Sequence, residues 1–143
     1  MKFFIASPWR NKDVVKSLME ALTARGHTAY SFLSNDANLV TGEPAIEKFE
    51  EDFPNSIADW ENNPVIKQIF ESDMQALKKS DTVILLEPSG RSSLAEAGIA
   101  YGMGKKIVLV GLVEHPEVVL YRICGSRYPS IEEFLGDPQG LAA

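Results

Sequence analysis

Short apolar runs alternate along the chain with longer stretches of helical periodicity. Lys2 to Ala6 is an apolar run behind one lysine, which predicts a buried strand, and it ends in a polar loop, Ser7-Pro8-Trp9-Arg10-Asn11. From Asp13 to Arg25 the residues Val14, Val15, Leu18, Met19 and Leu22 recur at helical spacing, with Gly26 as the stop. Thr28 to Phe32 predicts a second strand. Strand, helix and strand joined by short connections are the signature of a parallel βαβ unit.

The stretch from Asn35 to Asn63 is less regular, and between Glu43 and Glu61 it carries seven acidic residues against Lys48 alone. It reads either as a loop with a short helix over one end of the sheet or as a solvated acidic flank. Pro64 suits the first position of a helix running to about Lys79, whose apolar face is Ile66, Ile69, Phe70, Met74 and Leu77. Thr82 to Leu86 predicts a third strand, uniformly apolar as a central parallel strand should be. The loop Glu87-Pro88-Ser89-Gly90-Arg91-Ser92 leads into a helix from about Ser93 to Met103, closed by Gly104, and Lys106 to Val110 is a fourth strand. Pro116 to Cys124 is read as helix rather than strand, and Ser130 as the N-cap of a last short helix, Ile131 to Leu135.

The expected fold is one α/β domain over residues 1–143, a three-layer, flavodoxin-like (Rossmann-like) parallel sheet of order 2-1-3-4-5 with helices on both faces. In such sheets ligands bind beyond the C-terminal strand ends, where the strand order reverses. That crevice lies between the first and third strands, and it sets the loop Ser7 to Asn11 against the loop Glu87 to Ser92.

Composition narrows the class. A chain of 143 residues with 45% hydrophobic and 24% charged residues is ordinary for a soluble globular protein. A net charge of −6 argues against general nucleic-acid binding, while leaving room for a small anionic ligand at a helix N-terminus. The single cysteine, Cys124, cannot form an internal disulfide and is expected as a small buried apolar residue in a reducing compartment. No apolar run suits a signal peptide or a membrane span, so the cytoplasm is the expected location. His27 and His115 are the only histidines and no ligand cluster surrounds them, so neither a metal nor another cofactor is indicated.

Two carboxylates stand where surface patterning does not put them. Asp73 follows Phe70 by three residues and precedes Leu77 by four, on or beside the apolar face of its helix. It is either a buried group with a pKa pushed toward that of a proton donor, or a surface aspartate at the stripe's edge, or one paired with Lys78 or Lys79 as a structural ion pair. Glu96 is the one charge in the small, apolar stretch Leu94-Ala95-Glu96-Ala97-Gly98-Ile99-Ala100. In a first turn the helix dipole would favour its ionised form, which nucleophilic attack on a sugar carbon requires. Equally, Ser93-Leu94-Ala95-Glu96 matches a capping box. A nucleophilic carboxylate and a second acid are the pair that retaining cleavage of a glycosidic bond needs.

The runs Glu71-Ser72-Asp73-Met74-Gln75-Ala76-Leu77, Ser80-Asp81-Thr82-Val83-Ile84-Leu85-Leu86 and Gly90-Arg91-Ser92-Ser93-Leu94-Ala95-Glu96-Ala97-Gly98-Ile99-Ala100 resemble the nucleoside 2-deoxyribosyltransferase-like superfamily. That group includes the 2'-deoxynucleoside 5'-phosphate N-hydrolases and a CMP N-glycosidase. The match is clear over about Phe70 to Lys106 and weaker in the first strand and near Gly125-Ser126-Arg127. The resemblance implies that Glu96 is the nucleophile and that Asp73 contacts the sugar and helps protonate the departing base. It implies that Ser7 to Arg10 line the sugar or phosphate site. It also implies that Ser126 serves the phosphate site of a neighbouring subunit, so that the active unit is a homodimer or higher homo-oligomer.

One departure stands out. Six residues before the glutamate, where the family carries Asp or Ser, this chain has Gly90, and Arg91, Ser92 or Ser93 must supply what that position supplies elsewhere. Arg91 at a helix start suits a 5'-phosphate, or else pairs with an acidic neighbour such as Glu87. Trp9 and Trp60 are candidates either to stack on a base or to pack internally. The expected ligand is a small-molecule nucleoside or nucleotide, with no nucleic-acid or membrane partner. The expected activity is cleavage or transfer of an N-glycosidic bond. The alternative is a nucleotide-binding module without turnover. The loop after the first strand lacks the glycines of a dinucleotide enzyme, and acidic residues that a receiver domain needs are absent there.

Overall fold

Five parallel strands, β1 (Lys2–Ala6), β2 (Thr28–Tyr30), β3 (Thr82–Leu86), β4 (Lys106–Val110) and β5 (Ser126–Tyr128), pair in the order β2-β1-β3-β4-β5. The computed structural model describes residues 1–34, 60–113 and 119–142. Four helices among these residues flank the sheet: α1 (Lys12–Ala24), α2 (Pro64–Lys79), α3 (Arg91–Gly102) and α4 (Ile131–Gly136). This is the flavodoxin-like order expected from the sequence.

Side-chain alternation along each strand divides the core in two. Phe3, Ile5, Ile84, Leu86, Val108 and Val110 face α1 and α4, where Val15, Leu18, Leu22 and Phe134 cover them. Phe4, Ala6, Val83, Leu85, Ile107 and Leu109 face the other way, under Leu77 of α2 and Ala97 and Ala100 of α3. The alanines let α3 lie close on the sheet. Gly26, at φ 84°, turns the chain out of α1 so that the His27 N–H reaches the Leu22 carbonyl at 3.1 Å.

Several boundaries differ from expectation. β2 stops at Tyr30 rather than Phe32, because the buried Ser31 hydroxyl accepts the Leu33 N–H at 3.0 Å and draws Phe32–Ser34 into a 3₁₀ turn. α3 begins at Arg91, two residues early. Gly90 is its cap: the Gly90 N–H donates to Ser93 Oγ at 2.7 Å, and that hydroxyl donates to the Gly90 carbonyl at 2.9 Å. The capping box from Ser93 to Glu96 therefore does not form, and Glu96 stands sixth in the helix, beyond the first turn. The fifth strand is three residues of mixed polarity at the sheet edge, too short and too polar to show as a periodic run.

On α2 the expected apolar stripe is only partly buried. Leu77 is 0% exposed and Phe70 is 58% exposed. Sixteen residues of helix rise about 24 Å against about 17 Å for a five-residue strand, so part of α2 overhangs the sheet. Ile123 and its neighbours form a 3₁₀ turn, Leu120–Ile123, where a helix was expected. The reading of Pro116 to Val118 and most of that for Asn35 to Asn63 concern residues outside those described.

At the end of β4, Gly111 has φ 109° and lies against the loop after β3. A Cβ added there would sit 2.9 Å from Glu87 Cβ. Two outcomes follow for urea unfolding. Gly111→Ala should lose about 1–3 kcal/mol through backbone strain alone. Leu77→Ala should lose about 2–5 kcal/mol, whereas Phe70→Ala should stay within about 0.5 kcal/mol of the parent.

Candidate active site

β1 bonds to β2 on one edge and to β3 on the other, so the strand order reverses at β1 and the crevice opens beside its C-terminal end. The two predicted loops meet there. Ser7, 7% exposed, donates its hydroxyl to the Leu86 carbonyl at 3.3 Å. Asn11 Nδ2 donates to Ser7 Oγ at 2.8 Å and to the Pro88 carbonyl at 2.8 Å, and Arg10 Nη2 donates to the Ser89 carbonyl at 3.1 Å. Gly90 faces Pro8, with room for a Cβ 3.8 Å from the proline ring.

Asp73 and Glu96 are both half-buried and project from helices that share one face of the sheet. Their sequence neighbours Met74 and Ala97 pack in one cluster with Phe4, Ala6, Val83 and Leu85. The Tyr30 hydroxyl, at the C-terminal end of β2, donates to Asp73 Oδ1 at 2.9 Å. Asp73 therefore has a phenol among its partners.

The other predicted residues divide by accessibility. Arg91 and Ser92 are exposed in the first turn of α3. Ser93 is 2% exposed and its hydroxyl is committed to the Gly90 cap. Ser126 opens β5 level with Val108, separated from β3 by β4, so within one chain it stands apart from the crevice. Trp9 is 4% exposed, with its ring 5.0 Å from Phe32 and Lys12 Nζ 5.6 Å above it. Among the described residues its indole N–H has no hydrogen-bond partner. A buried donor left unmade costs about 1–3 kcal/mol, which marks this loop as strained in its polar accounting. Trp60 begins a 3₁₀ turn, Trp60–Asn62, just ahead of α2.

Three site residues escaped the sequence reading. Asn11 was read only as part of a polar loop, yet it ties the two loops together. Glu87 accepts from Ser89 N at 2.8 Å, Ser89 Oγ at 3.0 Å and the Tyr121 hydroxyl at 3.1 Å, so the suggested pair with Arg91 does not form. Burial pushes the Tyr121 hydroxyl above its ordinary range, against a lowering by Ser89 and with a further push from Glu87. Tyr30 is the third. The signal for it lay in register, since Tyr30 ends its strand opposite Phe4 on the face that carries Asp73.

A groove of about 740 Å³ runs the length of β2 beside α2, from Lys2, Thr28 and Lys79 to Tyr30, Ser34 and Ser72. A small apolar pocket of about 170 Å³ lies between α3 and the turn before β5, lined by Leu94, Gly98, Leu120 and Cys124. Burial raises the Cys124 thiol above its usual value although Arg127 opposes it, consistent with an inert packing residue. Among the described residues no group of three His, Cys, Asp or Glu side chains gathers as a metal site, and no helix is long and apolar enough to cross a membrane.

No protein-family model matches the chain, and no curated protein sequence matches it significantly. Solved structures do match. A 2-deoxyribosyltransferase from the psychrotolerant bacterium Bacillus psychrosaccharolyticus superposes with a TM-score of 0.67 at 18% identity, covering 99% of this chain and 96% of that one. The CMP N-glycosidase of Clostridium botulinum gives a TM-score of 0.57 at 20% identity, over 95% of this chain and 96% of its own. A conserved protein from Enterococcus faecalis gives 0.57 at 16% identity, over 95% of each chain. At these identities the likeness is one of fold, the parallel sheet of order 2-1-3-4-5 flanked by helices.

Proposed function

We propose that this protein cleaves or transfers the N-glycosidic bond of a nucleoside or nucleoside 5'-monophosphate. What supports the reading is the pair of half-buried carboxylates, Asp73 and Glu96, on helices that cover the same face of the sheet. The fold neighbours that act as a 2-deoxyribosyltransferase and a CMP N-glycosidase support it.

In this reading a Glu96 oxygen attacks the anomeric carbon as the C–N bond breaks through an oxocarbenium-like state. Asp73 gives its proton to the departing base nitrogen and becomes a carboxylate. Water, or the ring N–H of a second base, then gives its proton to the Asp73 carboxylate as its oxygen or nitrogen bonds to the sugar carbon and the bond to Glu96 breaks. Ser7, Arg10 and Gly90 border the sugar, and the buried Trp9 packs behind them against Phe32. Arg91 and Ser92, exposed at the start of a twelve-residue helix, meet a 5'-phosphate. Ser126 serves the same phosphate from a neighbouring copy of the chain, which makes the active unit a homo-oligomer.

A nucleotide-binding module without turnover is the second reading. What favours it is Gly90, which offers no polar side chain where relatives carry one, together with the commitment of Ser93 to the helix cap.

Purified protein incubated with nucleosides and their 5'-monophosphates, followed by chromatography, separates the two. Base release should occur, should fall to background in Glu96→Ala, and should drop about 10²- to 10⁴-fold in Asp73→Asn. Arg91→Ala should erode any preference for monophosphates by about tenfold or more, the worth of a hydrogen bond to a charged group. Free sugar in the products marks a hydrolase; base exchange without it marks a transferase. Binding with no release from any substrate would leave the second reading standing.

A further inference from the structure

We infer that Tyr30 is a positioning residue for Asp73, one that stabilises the carboxylate formed when the departing base takes its proton. The inference rests on the N-glycosidic reading above. Three observations carry it. The Tyr30 hydroxyl donates to Asp73 Oδ1 at 2.9 Å. The Tyr30 ring stacks on Phe4, with centroids 5.4 Å apart and planes at 25°, and Phe4 is itself 1% exposed. Tyr30 also sits opposite Phe4 in the strand register, at the C-terminal end of β2, so both ring and backbone are held by β1.

A phenol fixed in this way can deliver its proton donor at one place only. Asp73 belongs to α2, whose nearby apolar anchor is Met74 in the core below, and the bond to Tyr30 helps to hold its carboxylate in one rotamer. The bond also has a chemical consequence. In the proposed step the Asp73 O–H bond breaks, an N–H bond forms on the leaving base, and the carboxyl group gains a full negative charge. A hydrogen bond to the charged form is stronger than one to the neutral acid. The Tyr30 bond therefore tightens along the reaction coordinate, which lowers the barrier without tightening substrate binding.

The test compares Tyr30→Phe, Asp73→Asn and the double variant with the parent. Tyr30→Phe keeps the ring that stacks on Phe4 and removes only the donor. Two substrates are used: the nucleoside or nucleotide released best in the panel, and a 4-nitrophenyl glycoside of the same sugar, whose leaving group departs without a proton. On the first substrate Tyr30→Phe should lower kcat about tenfold with KM changed less than about twofold. On the nitrophenyl glycoside it should match the parent, and in the Asp73→Asn background it should cause no further loss on either substrate.

An equal loss on both substrates, or an undiminished loss in the Asp73→Asn background, would mean that the ring acts through structure, and would overturn the inference. Full activity of Tyr30→Phe beside inactive Glu96→Ala and Asp73→Asn would overturn it as well while leaving the N-glycosidic reading intact. Absence of base release by the parent protein would overturn both.

Discussion

β1 is enclosed on four sides, with β2 and β3 bonded to its edges and helices over both faces. A strand held so can leave the core only at its ends. The chain leaving Ala6 turns toward α1 on one face, and the chain leaving Leu86 turns toward α3 on the other. The two exits are hydrogen-bonded neighbours whose helices lie on opposite faces, so neither helix covers the gap between them. The crevice is thus a consequence of the strand order, and the polar residues of both loops have nowhere else to converge. Asn11 completes the arrangement by donating to both loops at once.

The same enclosure decides which polar groups remain available. Ser7, Ser31, Ser80 and Ser93 are all buried, and each hydroxyl is already committed: to the Leu86 carbonyl, Met19 Sδ, the Leu77 carbonyl and the Gly90 carbonyl. These serines hold backbone turns in place, and recruiting one for a ligand would break a bond the fold uses. Arg91 and Ser92 differ, since they stand exposed at the N-terminus of α3, where backbone N–H groups lack helical acceptors. Trp9 Nε1 is the exception in the other direction, a buried donor without an acceptor among the described residues, in a loop that borders the crevice. Native structures seldom leave such a group unexplained.

What the sequence revealed and what it hid follow the same physics. Strands buried on both faces read as unbroken apolar runs, so β1, β3 and β4 were legible to the residue, as was α2 with its proline start. Edge strands lack that signature. β2 came out two residues too long because the Ser31 turn is a side-chain device with no periodicity, and β5 was invisible as a run. The start of α3 was misplaced because Ser93 looked like a cap from outside the helix, whereas it caps from the third position inward. For the site, two loops and two carboxylates were legible as types in a pattern. Their partners were not, because Tyr30 and Asp73 are 43 residues apart and meet only through strand register.

Helix geometry also bears on why these two carboxylates suit the chemistry proposed. A helical carboxylate is most easily neutralised by a cation three or four residues away on its own helix. Around Glu96 those positions hold Ser92, Ser93, Ile99 and Ala100, and around Asp73 they hold Ile69, Phe70, Ala76 and Leu77. Lys78 and Lys79 fall five and six residues beyond Asp73, turned off its face, at a helix end where they favour the dipole instead. Neither helix therefore places a lysine or arginine three or four residues from its own carboxylate. A carboxylate that its own helix does not face with a cation takes its partners from other elements of the fold, and for Asp73 one of these is the Tyr30 phenol, a neutral donor.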